Sequence, residues 1–93
     1  MKTGIKLIAQ ERREQIEKHG RTLEKDKKFN CAGELALAAE MLLASVHEGG
    51  IDPEDYPYGW DKEICDNMLR KDYKDRLIIA GALIAAEIDR LQS

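Results

Sequence analysis

Ninety-three residues, 43% hydrophobic and 35% charged with a net charge of −3, make one small domain (1–93) with core enough for modest stability as a monomer. Aromatic residues make up 5% of the chain, so the core must be aliphatic, which favours helices over sheets; the negative balance argues against DNA or RNA, whose binding rests on neutralising phosphates. Cys31 and Cys65 lie outside any CxxC motif and no signal-peptide-like run is present, which predicts a reduced, cytoplasmic protein, and the longest apolar run, Leu77 to Ala86, spans only about 15 Å as a helix and cannot cross a membrane.

Ile5, Ile8, Ala9, Arg12 and Ile16 recur at helical spacing, and Gly20 after Lys18 and His19 supplies a stop. The pattern predicts a helix over residues 3–18 with Arg12 on its apolar face. Arg21 to Asn30 shows no clear period, mixes Lys25, Lys27 and Lys28 with Glu24 and Asp26, and reads as an ordered loop or short turn. Asn30 is a good N-cap, and the mostly apolar or small residues from Cys31 to Val46 predict a second helix, ended by His47 and Gly49-Gly50. Residues 49–60 hold both prolines with Tyr56, Tyr58 and Trp60, an aromatic loop. Asp61 can cap a short third helix with Ile64, Cys65, Met68 and Leu69 inward. Asp72, with Asp75 three positions on, resembles a capping box that opens a fourth helix running to about Leu91.

The expected fold is all-α, a small bundle of about four helices. Two of them are long and Ala-rich and pack closely, through Ala32, Ala36 and Ala44 on one and Gly81, Ala82, Ala85 and Ala86 on the other. With few other apolar elements to cover them, a homo-oligomer is expected, the alternative being a compact monomeric bundle.

Charges on apolar faces need partners. Arg76, Ala80, Leu83, Glu87 and Leu91 share a face of the last helix by spacing. Arg12, Arg76, Glu34 and Glu87 either form internal ion pairs that fix helix register, such as Arg12 with Glu34 or Glu87, or line a pocket in which arginines meet phosphate and glutamates accept from hydroxyls. Glu34, in the first turn of the second helix, suits capping or metal ligation, but Glu40 lies roughly 120° further round the helix. Lys25, Lys27 and Lys28 precede that helix and can meet an anion. Trp60, Tyr56 and Tyr58 can stack on a base or close the end of the bundle. Glu11, Glu14 and Glu17 read as a solvated face, His19 and His47 are isolated, and with no Ser-His-Asp set, Cys-His pair, P-loop or GxGxxG, no catalytic residue is assigned.

Glu11-Arg12 with Gln15-Ile16, then Gly20 and Thr22, Gly33-Glu34-Leu35-Ala36 with Ala38-Ala39, Tyr58-Gly59-Trp60, Arg76-Leu77 and the string from Ala80 to Leu91 together resemble a family of small phage and prophage proteins. That family is analogous to the all-helical MazG-type nucleotide pyrophosphohydrolases, whose helix-borne Glu and Asp hold magnesium beside a nucleoside triphosphate. The enzyme pattern is incomplete in this chain. Neither an EExxE on the second helix nor an ExxD on the fourth is present, and Lys25-Asp26-Lys27 stands where many relatives have His-Asp-Asp, so an acidic cluster has become basic.

The resemblance and the residues lead to the expectation that a phage-type helical oligomer binds and sequesters a small phosphate-bearing nucleotide-type ligand, an anti-defence sponge for a nucleotide signal in the host cytoplasm. Arg12, Lys27, Lys28 and Arg76 would oppose phosphates, Tyr58 or Trp60 would stack, and Glu34 or Glu87 would accept hydroxyls, with no cofactor. A MazG-like enzyme would instead use Asp26, Glu34, Glu40 and Glu87 as ligands for Mg²⁺. The remaining reading is a structural or protein-partner module.

Overall fold

The computed structural model describes residues 1–44 and 53–93. Among them the chain is all-helical: α1 (Gly4–Glu17), α2 (Leu23–Phe29), α3 (Glu34–Ala44), a 3₁₀ turn (Pro53–Asp55), α4 (Lys62–Leu69) and α5 (Tyr73–Gln92). No helix is long and apolar enough to cross a membrane among the described residues.

The side chain of Thr3 caps α1 by accepting from the Lys6 N–H, and Gly20, at φ +65°, lets the chain turn away in a conformation that costs other residues more. The inward face is the predicted one only in its middle, at Ile8 and Arg12. Ile5 is 83% exposed and Ile16 is exposed, while Gln15 is the buried residue of the helix. Ile8 and Arg12 of the predicted stripe do face the bundle, Ile8 against Gly81 of α5, and the packed face adds Gln15 where the stripe would continue to Ile16.

Residues 21–30, expected as a loop, contain the seven-residue α2, whose N-cap Thr22 accepts from the Lys25 N–H. Its buried side chain is Asp26, a charge, so apolar periodicity carries no trace of it. Asn30 does not start the next helix as expected; it is the C-cap of α2. Gly33 at φ +88° makes the turn, and α3 begins at Glu34, whose carboxylate accepts from the Ala32 N–H at 2.7 Å, a bond back to the turn ahead of the helix rather than to the helix's own free N–H groups. The expected end at Val46, with His47, Gly49 and Gly50, lies outside the described residues.

Asp61 caps α4 by accepting from the Glu63 and Ile64 N–H groups, and Asp72 caps α5 by accepting from the Asp75 N–H. On α4, Cys65 is fully buried with Met68 and Leu69 beside it, whereas Ile64 is exposed.

Helix α5 is the axis of the fold, with α1, α2 and α3 packed on it. Its Ile79, Ala80, Leu83 and Ala86 meet Leu35, Ala38, Ala39 and Leu42 of α3 in the core, where small side chains permit close approach. Glu34 at the start of α3 is within electrostatic reach of Arg90 near the end of α5, and Ala36 and Leu43 share a hollow with Ile84, so the two helices run antiparallel. Three of the residues expected in this contact fall elsewhere. Ala32 precedes the helix and is exposed, as is Ala36, and Gly81 faces α1: a Cβ there would stand 2.6 Å from Ile8 Cδ1. Among the described residues the bundle of about four is thus five α-helices, in a flat body of 36 × 36 × 21 Å.

Candidate functional site

Three helices and the aromatic loop converge on one polar network. The Arg12 side chain, only 12% exposed, donates through Nη1 to the Arg21 carbonyl at 3.2 Å and places Nη2 3.5 Å from Asp89 Oδ2. Its ion-pair partner is therefore Asp89, two positions from Glu87 and about 200° round the helix from it, rather than Glu34 or Glu87. Asp26 is fully buried; its Oδ1 accepts from Asn30 Nδ2 at 2.9 Å, and Asn30 Oδ1 accepts from Trp60 Nε1 at 2.9 Å. The Arg21 guanidinium lies 4.4 Å from the centroid of the Trp60 ring, a cation–π geometry. Burial pushes the Asp26 carboxyl above its ordinary value, opposed by the Asn30 bond and the charges of Arg12 and Arg21. Burial likewise pulls Arg21 down, with Asp26 opposing it.

Beside this network a cavity of about 370 Å³ opens between α1, α4 and α5. Ile64, Met68, Ile79 and Leu83 form its apolar floor, and Glu11, His19, Arg21, Asn67 and Lys71 its polar rim. Arg21 and Ile64 also line an adjoining hollow with Trp60 and Asp61, which makes one cleft ending at the indole. Gln15 lines the cavity although it is 4% exposed, and its Oε1 has no hydrogen-bond partner among the described residues. A buried amide oxygen left unpaired is costly. Next to it Glu11 is raised in pKa, chiefly by burial and with Glu14 adding, against the Gln15 bond and the charges of His19 and Lys71. A pocket of this size, apolar below with a few convergent polar groups, is the usual form of a small-molecule site.

The predicted site residues do not all gather here. Trp60 lines the cleft, and Arg12 stands behind it, holding the Arg21 carbonyl. Lys27 and Lys28 are exposed on α2, Lys28 lying 5.2 Å from the centroid of its neighbour's ring, Phe29. Tyr58 is 91% exposed. Glu34 is engaged by the Ala32 N–H of the turn before α3, and Glu87 takes both Arg90 Nε at 2.5 Å and Nη2 at 3.1 Å. Arg76 is half-buried about 16 Å along α5 from Glu87. The carboxylates of a magnesium site are likewise dispersed. Asp26 is interior, Glu34 is bonded to the turn before its helix and Glu40 is exposed, and among the described residues no three of the His, Cys, Asp and Glu side chains lie close enough to hold a metal ion. The residues present do not fit that group.

Sequence reasoning missed Gln15, Arg21, Asn67, Met68 and Lys71 as cleft residues. Gln15 carried one signal, being one turn from Arg12 on the same side of the helix; the rest come together only through tertiary packing. No protein-family model, curated protein or solved structure matches the chain.

Proposed function

We propose that the chain binds a small phosphate-bearing, nucleotide-type ligand in the cleft between α1, α4 and α5, and holds it without turnover as a self-associating helical protein. The observation that carries the reading is the Gln15 amide, buried at the cleft with Oε1 unpartnered. It is an acceptor waiting for an N–H, the group a nucleobase edge or exocyclic amine supplies. Arg21 and Lys71 on the rim supply the positive charge that phosphates need, and Trp60 at the end of the cleft offers an aromatic ring for contact with a base.

In this reading Arg12 is a positioning residue, and Lys27, Lys28, Tyr58 and Arg76 are outside the site. The scattered carboxylates favour holding a ligand over magnesium-assisted hydrolysis. The resemblance to phage and prophage proteins supports a sequestering role in an infected cell's cytoplasm, against a nucleotide signal of host defence.

The test is a panel of nucleoside triphosphates, deoxynucleotides, cyclic dinucleotides and ADP-ribose derivatives, with and without Mg²⁺ or Mn²⁺, read by melting temperature, calorimetry and product chromatography. Binding without product, weakened at least tenfold in Gln15→Leu and Arg21→Ala proteins that remain folded, is expected. Metal-dependent product overturns sequestration, and no response to any compound overturns the nucleotide reading.

A further inference from the structure

The polar groups of the cleft are oriented by bonds of their own. Gln15 Nε2 donates to Glu11 Oε2 at 3.4 Å, which leaves the buried Oε1, without a partner among the described residues, as the end of the amide with unused capacity. Glu11, one turn earlier on α1, lines the same cavity, and a carboxylate accepts on both oxygens. From α4, Asn67 is oriented too: its Oδ1 accepts from Arg70 Nη1 at 2.6 Å, so Nδ2 is the amide end left to the cavity it lines. Two neighbouring acceptors and one donor therefore border an apolar floor. Past Glu11 the groove between α1 and α5 holds Glu14 and Asp75, whereas the other end of the cleft holds Arg21, so phosphates are steered to the Arg21 end.

We infer, resting on the nucleotide reading above, that the cleft takes a guanine base, with Glu11 and Gln15 accepting from its N1–H and N2 amino group and Asn67 donating to its O6. Among the nucleobases guanine alone presents two donors side by side on its Watson–Crick edge with an acceptor next to them. Adenine and cytosine each carry one amino group beside an acceptor nitrogen, which would stand against Glu11 or Gln15 as acceptor against acceptor. Uracil has a single N–H between two carbonyls. Burial, the largest influence on Glu11, raises its pKa, so its carboxylate is short of the donors that water would give, and a pair of N–H groups supplies them. Met68, Ile79 and Leu83 seat the face of the ring. The cavity, about 370 Å³, lies at the small end of small-molecule sites, which favours one nucleoside over a dinucleotide.

The experiment is titration calorimetry of wild type and Glu11→Gln, in magnesium-free buffer, against the 5′-mono- and triphosphates of guanosine, inosine, adenosine, cytidine and uridine. Guanosine nucleotides should bind wild type tightest. Inosine keeps N1–H and O6 but lacks the N2 amino group, so its nucleotides should bind about tenfold more weakly, because a buried acceptor is left unpaired. In Glu11→Gln the new amide can keep the bond from Gln15 through its oxygen, but its NH₂ then meets guanine's donors. That variant should lose the preference for guanosine over adenosine nucleotides while helical circular dichroism is retained. The comparison of guanosine with inosine needs no variant, so it decides the matter should Glu11→Gln fail to fold. Equal binding of guanosine and inosine nucleotides, preference for another base, or a guanine preference that survives Glu11→Gln overturns the inference while nucleotide binding stands. No binding of any of these nucleotides overturns both.

Discussion

The indole Nε1 of Trp60 donates to Asn30 Oδ1 at 2.9 Å. Because the amide Nδ2 of Asn30 also donates to the buried Asp26 at 2.9 Å, one side chain at the end of α2 joins the aromatic loop to the interior. The loop residue that bounds the cleft is therefore held by the same network that buries a carboxylate.

Breaking this bridge at its centre should cost more than at its end. Trp60→Phe strands one acceptor, Asn30 Oδ1, and keeps an aromatic ring beside Arg21, whereas Asn30→Ala strands both the indole N–H and Asp26 Oδ1. Each stranded buried group costs about 1–3 kcal/mol, and a domain of this size loses roughly 4–8 °C per kcal/mol. Thermal unfolding should thus rank wild type above Trp60→Phe above Asn30→Ala. An Asn30→Ala protein as stable as Trp60→Phe would mean that the amide is not a bridge.

Asp26 gives a pH signature. Burial raises its carboxyl above the ordinary value, so the folded state takes the proton more readily than the unfolded chain. The stability linked to this group is fully present below the unfolded value and is lost as pH rises through the folded one. Asp26→Asn, a neutral side chain of the same shape, should match or exceed wild type in melting temperature at neutral pH, with the difference shrinking as pH falls below the ordinary carboxylate value of about 4. Asp66 has the opposite sense, being lowered mainly by its bonds from Lys62 and Tyr56, but it is common to both proteins and cancels. A difference that grows toward acid would contradict the burial of a charged Asp26.

What could be read from the chain follows from which forces act locally. Asp61 and Asp72 were legible as caps because an N-cap bonds to N–H groups two or three residues away, and the last helix was legible because its apolar content is continuous. Helix α2 was not, since seven residues are too few to establish a period and its inward residue is Asp26. The cleft was half legible. Arg12 and Trp60 stand out as a charge on an apolar face and a rare aromatic, but the partners that define their roles, Asp89 for one and Asn30 for the other, lie far along the chain, where neither spacing nor propensity reaches.

Tyr56 should titrate apart from the other tyrosines. Its hydroxyl donates to Asp66 Oδ1 at 2.6 Å, and this bond to a carboxylate, with smaller contributions from burial and the Asp66 charge, pushes the phenol up to about 12. Absorbance at alkaline pH should show one phenol ionising later than the other two, and Asp66→Asn should bring it back toward the usual value of about 10. Tyr56→Phe should delete the late component. A late component that survives Tyr56→Phe would assign the bond to the wrong residue.

Gly81 makes the packing of α1 on α5 testable by coupling. A helix-interior glycine replaced by alanine normally gains up to about 1 kcal/mol, yet a Cβ at this position meets Ile8 Cδ1 at 2.6 Å and Cγ1 at 2.9 Å, closer than real contacts allow. Overpacking of this kind costs about 1–3 kcal/mol, so Gly81→Ala should be destabilising despite its better propensity. Ile8→Ala alone loses the apolar contacts of a half-buried side chain. In the double variant the new methyl enters the space that Ile8 vacated, and the propensity gain is recovered. The double variant should therefore be more stable than the sum of the two single losses predicts, by about 0.5–3 kcal/mol of coupling. Strict additivity in chemical denaturation would show that α1 does not approach α5 at this glycine.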